Sequence, residues 1–319
     1  MNFQQVKVPY IDSNIPPLGS TLWFDCENYK DTQTWSNLND RDKRYVEEMR
    51  SKGYVIVDNS VNPNLLDSAV NSYHSWVEKN KKGYEQNRKE DGNPPRVVDL
   101  HNDLVEVQRL FTANEAVRVQ DFLFGYETSI YTSLFFETST QQPIHRDAPV
   151  FRTSPENYYF GMWVALEDAG YENGSLIVIE GGHRIYIDQF ELVREILGER
   201  QDLYEIPQLD NNLWNCYQDT VAKTCLRKGL SKKQVYMKKG QTLIWHPLLP
   251  HAGGKIRKDG ATRKSIVFHT VPIGVPVYRC NVFFNYNLQK VTNRSRFQYR
   301  EIEGGRHTAY FGKPKFRNR

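Results

Sequence analysis

A short segment near the middle of the chain places two potential metal ligands two positions apart. It reads Gln142-Pro-Ile-His145-Arg-Asp147 and follows a run of residues with strand propensity. In an extended chain, side chains at i and i+2 project to the same side, so His145 and Asp147 can bind one metal ion. A neutral imidazole and a carboxylate together suit a borderline first-row metal such as Fe(II). Because this pair also occurs by chance, the hypothesis requires a third ligand elsewhere.

A later segment supplies two candidates for that third ligand. It reads Trp245-His246-Pro-Leu-Leu-Pro-His251, and we favour His251, with His246 as the alternative. Two histidines and one carboxylate form a facial triad, which leaves one face of an octahedral metal open. The open positions can take a bidentate 2-oxo acid and then dioxygen. The sequence therefore predicts an iron site made by His145, Asp147 and His251.

A basic residue that could hold the 2-oxo acid follows this segment. Arg263 and Ser265 lie on one face of a strand predicted at 264–270. A guanidinium fork and a hydroxyl placed in this way can hold the distal carboxylate of 2-oxoglutarate. Arg257 is an alternative, but its surroundings are typical of a turn. His269, at the end of the same strand, could also reach the pocket, although we expect a structural role for it.

The patterns around these residues predict the elements that position them. Helical periodicity covers residues 37–52, 62–79 and 114–123. Short runs of β-branched and aromatic residues predict strands at 54–58, 128–137, 158–166, 176–179, 234–237, 242–245, 264–270 and 277–286. Turn residues separate the later strands, which is typical of an antiparallel sandwich or barrel. Helices come first and strands follow without regular alternation, which argues against a Rossmann architecture.

One largely helical segment, at 185–233, interrupts the strands. Within it, the helix predicted at 210–226 carries one apolar stripe, formed by Leu213, Tyr217, Val221 and Cys225. An insertion of this size between two strands usually covers a pocket or an interface. We therefore expect a single domain over 1–319, with a β core at about 126–286 and a helical lid at about 185–233.

Four blocks of the sequence, in order, resemble the phytanoyl-CoA dioxygenase (PhyH) family of Fe(II)/2-oxoglutarate-dependent oxygenases. They are Gly53-Tyr-Val-Ile-Val, the His145-Arg-Asp147 segment, Met162-Trp163-Val-Ala-Leu-Glu-Asp with Asn173-Gly-Ser-Leu-Ile-Val-Ile-Glu-Gly-Gly-His183-Arg, and His251 followed by Arg263-Lys-Ser265. The resemblance covers about residues 45–285. It implies a mainly β fold with flanking helices, namely a double-stranded β-helix (jelly roll, cupin-like). It also implies a position for Trp163 near the co-substrate or substrate, with a core aromatic as the alternative.

The resemblance further implies an enzyme that uses Fe(II), 2-oxoglutarate and O2. Such an enzyme would hydroxylate or oxidatively cyclise a small molecule and release succinate and CO2. A carboxylate-bearing, amino-acid-derived natural-product precursor is one candidate substrate, because several cations could line the pocket mouth: Lys223, Arg227, Lys228, Lys255, Arg257 and Lys258. The alternatives are a non-catalytic binding protein on an oxygenase scaffold and a hydroxylase of protein or nucleic acid. The complete triad argues against the first, and the covering insertion argues against the second.

Composition limits the possible partners. The chain has 42 Lys and Arg against 38 Asp and Glu, a net charge of +4, so we do not expect a nucleic-acid partner. We interpret the basic segment at 293–319 as a solvated, wrapping tail, and residues 1–20 as a polar arm. The four cysteines show no CxxC spacing, which favours a reducing compartment. With no secretory signal and no apolar run that could span a bilayer, we expect a cytoplasmic protein without a membrane partner.

Overall fold

A computed structural model describes residues 18–198, 206–285, 299–309 and 311–317 of the chain, so the predicted arm at 1–20 lies almost entirely outside the described residues. The helices of the described part are α1 (Gln33–Ser36), α2 (Asp40–Lys52), α3 (Pro63–Lys79), α4 (Lys81–Gln86), α5 (Val105–Thr112), α6 (Glu115–Phe124), α7 (Gln189–Leu197), α8 (Asn211–Arg227) and α9 (Cys280–Phe284). None of these helices has the length and apolar character needed to cross a bilayer.

The strands of the described part form two sheets and a separate two-stranded pair. They are β1 (Tyr54–Val57), β2 (Arg96–Val98), β3 (Thr128–Phe136), β4 (Arg152–Thr153), β5 (Phe160–Ala165), β6 (Leu176–Ile179), β7 (Lys232–Val235), β8 (Thr242–Trp245), β9 (His251–Gly253), β10 (Ser265–Pro272), β11 (Val277–Tyr278), β12 (Tyr299–Glu301), β13 (His307–Ala309) and β14 (Lys315–Arg317). The main sheet runs β1-β8-β5-β10-β3 in antiparallel order, and the small sheet runs β7-β6-β9. This arrangement confirms the predicted jelly roll with flanking helices.

The inner faces of the two sheets share one buried cluster. Trp163 on β5, Trp245 on β8 and Val267 on β10 come from the main sheet, and Leu176 and Val178 on β6 come from the small sheet. Their side chains alternate along each strand with residues that pack outward, as the period of two requires. The cluster therefore fixes the spacing between the sheets, and the candidate site lies in the same space.

The outer face of the main sheet is covered by helices from the first part of the chain. In α3, Asn62 caps the first turn, Pro63 occupies the first helical position, and Leu66, Tyr73 and Trp76 face the core. This combination of cap, early proline and apolar stripe explains why the sequence folds locally into a helix that packs on one face.

The insertion between β6 and β7 contains α7 and α8, with residues 199–205 outside the described part. The predicted apolar stripe of α8 is buried, and the buried residues are Leu213, Tyr217, Val221 and Cys225. Gln218 on the same helix binds the backbone of Arg146 through both its oxygen and its nitrogen, at 2.7 and 2.9 Å. These bonds attach α8 to the loop that carries His145 and Asp147. That the insertion acts as a lid stays a prediction.

The strand predicted at 277–286 is wrong over 279–285, and residue 286 lies outside the described residues. Strand β11 ends at Tyr278, and α9 follows from Cys280 to Phe284. The successive residues Val282, Phe283 and Phe284 are all buried, and both phenylalanines pack edge-on against Tyr217 of α8. A short apolar run of this kind does not distinguish a buried strand from a buried helix, because neither period is visible in it.

The described part of the C-terminal segment is not a solvated tail. Strands β12 and β13 extend the main sheet beside β3, and β14 pairs with β2. Two of its basic side chains bond to the folded core: Arg306 makes two hydrogen bonds with Asp121 at 2.9 and 2.6 Å, and Arg300 bonds to Asn102. The predicted tail does wrap around the folded core, but it is not simply solvated, because core carboxylates balance part of its positive charge.

Candidate metal and co-substrate site

The structure brings the three predicted metal ligands together. The ligand atoms of His145, Asp147 and His251 all lie within 4.8 Å of one another, and all three residues are buried. His145 and Asp147 lie in the loop between β3 and β4, and His251 begins β9. The backbones of His145 and His251 exchange two hydrogen bonds of 2.9 Å, which hold the loop against the small sheet. One β-bridge therefore joins two ligands that lie far apart in the sequence.

Hydrogen bonds to the backbone orient both imidazoles. His145 Nδ1 lies 2.8 Å from the carbonyl oxygen of Pro143, and His251 Nδ1 lies 3.0 Å from that of Leu249. Because a carbonyl only accepts, each Nδ1 carries the proton and each Nε2 keeps its lone pair for a metal. Burial, and next the charge of His251, lowers the pKa of His145 to about 4. His145 is therefore neutral at pH 7, as a metal ligand must be.

The carboxylate of Asp147 is held from one side. Its Oδ2 accepts hydrogen bonds from Trp245 Nε1 at 2.9 Å and from the hydroxyl of Tyr159 at 3.0 Å. Its Oδ1 lies 3.6 Å from His145 Nε2. Burial raises the pKa of Asp147, but His251 and His145 outweigh it and lower the pKa below its usual value. Asp147 is thus ionised. Its Oδ2 lies 3.9 Å from His251 Nε2, and its Oδ1, which accepts from neither Trp245 nor Tyr159, is left as the ligand atom.

This donor set fits Fe(II). Two imidazoles and one carboxylate, each oriented by a hydrogen bond to another part of the protein, are what a facial-triad iron site requires. The cavity around them has a volume of about 890 Å³. That is enough for 2-oxoglutarate and a small substrate together.

Arg263 projects into the same cavity and has an unused hydrogen-bonding group. Its guanidinium is buried, donates to the carbonyl oxygen of Gly174 at 3.0 Å and lies 5.3 Å from the ring of Trp163. Within the described residues its Nε has no hydrogen-bond partner. Burial lowers the pKa of Arg263 to about 10, so it remains a cation at neutral pH. A buried cation with an unpaired N–H fits a carboxylate of 2-oxoglutarate.

The other two predicted contact residues differ in position. Trp163 lines the cavity and is almost fully buried. Its surroundings therefore fit both a residue of the pocket wall and a core aromatic. Ser265 shares the strand face of Arg263, but it is fully buried, and its hydroxyl lies 3.5 Å from the carbonyl oxygen of Arg263. The contacts of Ser265 therefore give no support to a role in binding 2-oxoglutarate.

Neither alternative ligand faces the cavity. His246 Nε2 lies 3.3 Å from a carboxylate oxygen of Asp25, and its ring packs 5.4 Å from that of His183. Arg257 is exposed, lies 3.8 Å from the ring of Tyr171 and donates to the carbonyl oxygen of the same tyrosine. Their surroundings favour His251 and Arg263 for the metal and co-substrate roles.

Sequence reasoning missed the partners of Asp147. Tyr159 precedes β5 and Trp245 ends β8, and only the folded sheets bring them to the carboxylate. His269 lines the cavity, contrary to the structural role that we favoured. The spacing in the sequence could have indicated this position. Arg263, just before β10, and Val267 and His269 on β10 are separated by even numbers of residues, so they face the same side.

The cations that we predicted at the pocket mouth are not the ones that line the cavity. The six predicted cations are exposed and are not part of the cavity wall, because the α8 residues among them lie opposite its buried stripe and the others lie in a turn. Besides Arg263, five cations line the cavity, and we call them the cationic rim: Lys89, Arg96, Arg279, Lys315 and Arg317. Two of them come from β14, which the sequence did not predict.

Known sequences match most of this chain. The family profile of "Phytanoyl-CoA dioxygenase (PhyH)" matches residues 49–265. The peroxisomal phytanoyl-CoA dioxygenase of Bos taurus is 24% identical over 285 residues, which cover 79% of this chain and 74% of the bovine protein. That of Mus musculus is 22% identical over 281 residues, with the same two coverages of 79% and 74%.

Solved structures show the same fold. The epimerase SnoN, in complex with Fe3+, alpha ketoglutarate and nogalamycin RO, gives a TM-score of 0.58 at 16% identity, over 87% of this chain and 98% of its own. The carbocyclase SnoK gives 0.56 at 16% identity, over 90% and 98%. EctD from S. alaskensis, with 2-oxoglutarate and 5-hydroxyectoine, gives 0.56 at 15% identity, over 81% and 83%. Because the family profile covers more than half of the sequence, the chain belongs to the PhyH family of Fe(II)/2-oxoglutarate-dependent oxygenases.

Proposed function

We propose that this oxygenase acts on a small anionic molecule, which it hydroxylates or oxidatively cyclises. Family membership supports the coarser part, an oxidoreductase that uses Fe(II), 2-oxoglutarate and O2. The observation that carries the finer part is the cationic rim, which lines the same cavity as the triad. Among the described residues, no member of the rim forms an ion pair.

The rim contains two arginines that face each other across a strand pair. Arg317 on β14 is the direct partner of Arg96 on β2. Like charges in this position destabilise a sheet, and an anion bound between them would remove that cost. Arg96 Nε is buried without a hydrogen-bond partner in the described part of the chain. Burial, and next the charge of Arg317, lowers the pKa of Arg96 to about 10, so Arg96 remains a cation at neutral pH.

Two carboxyl groups of the cavity wall, buried Asp99 and half-buried Glu137, already have hydrogen-bond partners. Asp99 accepts hydrogen bonds from the hydroxyl of Thr132 at 2.5 Å and from a backbone N–H. Glu137 accepts from the hydroxyls of Tyr73 and Tyr84, both at 2.6 Å. These bonds engage one oxygen of each carboxylate, Oδ1 of Asp99 and Oε1 of Glu137. Among the described residues neither carboxylate forms an ion pair with the rim, so the rim keeps positive charge available for a ligand.

Each part of the site has one task in this proposal. His145, Asp147 and His251 hold the iron, and Arg263 holds the distal carboxylate of 2-oxoglutarate. When bound, iron and 2-oxoglutarate activate dioxygen and yield succinate and CO2. The rim fixes the anionic end of the substrate, so the distance from the rim to the triad selects the carbon that is oxidised. The ring of Trp214 on α8 lies 6.1 Å from that of His145 and forms part of the cavity wall beside the triad.

Two other functions have less support. A non-catalytic binding protein would not need imidazoles whose Nδ1 bonds leave both Nε2 atoms for a metal. A hydroxylase of protein or nucleic acid would need an open groove, whereas α8 contributes Asn211 and Trp214 to the cavity wall. The four free cysteines are consistent with a reducing compartment, and we propose a cytoplasmic location.

The test measures succinate formation from 2-oxoglutarate with matched pairs of small carboxylic acids and their primary amides. We expect the acids to stimulate turnover more than the amides. Arg96→Gln and Arg317→Gln should reduce this preference, whereas Arg227→Gln, on the exposed end of α8, should keep it. Equal stimulation by acids and amides, or an unchanged preference in both rim variants, would contradict an anionic substrate.

A further inference from the structure

A chain of buried polar groups extends from the metal ligand Asp147 to the cavity wall. The hydroxyl of Tyr159 contacts Asp147 Oδ2 at 3.0 Å and also makes a short contact with His269 Nδ1. Tyr159 is fully buried and His269 is only 5% exposed. Tyr159 has a clear task as a donor to Asp147, but metal and co-substrate binding leave His269 without one.

The protons in this chain can be assigned from the acceptors. Asp147 is a carboxylate and only accepts, so the single hydroxyl proton of Tyr159 is donated to it. The Tyr159 oxygen must then accept the proton of His269 Nδ1. Burial lowers the pKa of His269 to about 4, so the ring is neutral at pH 7 and has one N–H. Its Nε2 is therefore unprotonated and acts as a hydrogen-bond acceptor.

This acceptor has no partner within the described residues. His269 Nε2 is buried and unbonded, and the residue lies on the face of β10 that lines the cavity. The ring cannot turn freely, because Phe151 stacks on it at a centroid distance of 4.4 Å and also on Tyr159 at 4.9 Å. A buried acceptor without a donor is unfavourable, so its retention in a binding cavity indicates that a ligand supplies the donor.

We propose that His269 Nε2 binds a hydroxyl or N–H group of the substrate and thereby determines specificity. The inference rests on the proposed small-molecule oxygenase function, but not on the charge of the substrate. The chain His269–Tyr159–Asp147 then links the bound donor to a metal ligand, so a donor-bearing substrate is held in a fixed position relative to the iron. The substrate is anionic at the rim and carries a hydrogen-bond donor at this deeper point.

The first test reads the tautomer directly. The protein, labelled with 15N-histidine and loaded with Zn(II) and 2-oxoglutarate, is examined by NMR, with His269 assigned from the signal lost in His269→Gln. We expect a protonated Nδ1 and an unprotonated Nε2. Tyr159→Phe removes the acceptor of the Nδ1 proton and should abolish this preference. Tyr158→Phe is the matched control, because its buried hydroxyl bonds instead to the carbonyl oxygen of Thr21, and it should change nothing.

The second test compares ω-hydroxy acids of several lengths with their methyl ethers, which lack the donor, by ligand-observed NMR on the same loaded protein. Wild type should bind the best hydroxy acid about tenfold more tightly than its ether. His269→Leu should abolish this difference, and His269→Gln, which keeps an acceptor, should restore much of it. A protonated Nε2 in the wild type, or an undiminished preference in His269→Leu, would overturn the inference. If all acids bind weakly while His269 has the expected tautomer, the result contradicts only the proposal of an anionic substrate.

Discussion

Gly161 on β5 lies directly opposite Trp245 on β8, and a Cβ on Gly161 would overlap the indole of that tryptophan. The indole therefore lies across the glycine, and its Nε1 donates to Asp147. A position without a side chain on one strand thus allows a donor on the next strand to reach a metal ligand. This glycine matters for close packing, not for an unusual backbone conformation.

Gly161→Ala should weaken metal binding. The added methyl displaces the indole, and Asp147 loses one of the two bonds that orient it; loss of such an outer partner typically costs about 10–100-fold in metal affinity. Titration with Co(II) as a stand-in for iron would measure the change. Gly170→Ala is the control, because nothing lies within 4 Å of its added Cβ.

Trp245→Phe separates the hydrogen bond from the packing, since it keeps an aromatic ring but removes the donor. It should also weaken metal binding, with a smaller loss of thermal stability than Gly161→Ala. Full metal affinity in both variants would show that the Trp245 bond does not orient Asp147.

His251→Ala and His246→Ala should have different effects. We propose His251 as a metal ligand, so its loss should abolish metal binding and turnover. His246→Ala removes a partner of Asp25 and should lower stability while metal binding persists. Co(II) absorption and circular dichroism on both variants distinguish the two effects. If His246→Ala lost the metal with its fold intact while His251→Ala retained it, the assigned ligand set would be wrong.

Arg263→Lys should weaken 2-oxoglutarate binding. The variant keeps the charge but loses the planar fork, and charge-assisted bonds of this kind contribute about 1.5–3 kcal/mol. Calorimetric titration of 2-oxoglutarate into the Ni(II)-loaded protein should show an affinity about 10–100-fold lower. Arg257→Lys provides the matched control, because Arg257 is exposed and bonded to Tyr171. Unchanged binding in Arg263→Lys would assign the carboxylate to another residue.

The ligands could be predicted from the sequence because their geometry is local or their order along the chain is informative. His145 and Asp147 share a side through a spacing of two, and Arg263, two residues before β10, keeps the period of two that places Val267 and His269 on the cavity face. The pairing of Arg317 with Arg96 could not be predicted, since it joins the two ends of the chain and no local pattern encodes register between distant strands.

The last prediction concerns pH and a histidine remote from the metal site. His101 is fully buried, and its two ring nitrogens bond to the hydroxyls of Ser133 at 2.7 Å and Thr308 at 2.9 Å. Burial, and next the charge of Arg300, lowers its pKa to about 3. Between that value and its ordinary pKa of 6.5, the unfolded chain binds a proton at this residue that the folded chain does not. The free energy of unfolding should therefore fall as the pH is lowered through this window.

One such histidine contributes a slope of about 1.4 kcal/mol per pH unit when the proton difference is complete. We expect His101→Gln to reduce the slope of unfolding free energy against pH between pH 4 and 6, measured by urea denaturation of the metal-free protein. His74→Gln, at an exposed position on α3, is the control and should leave the slope unchanged. The slope is the relevant quantity, because His101→Gln also lowers stability at every pH by disturbing the bonds to Ser133 and Thr308. An unchanged slope in a folded His101→Gln variant would mean that His101 is not the buried neutral group that resists protonation.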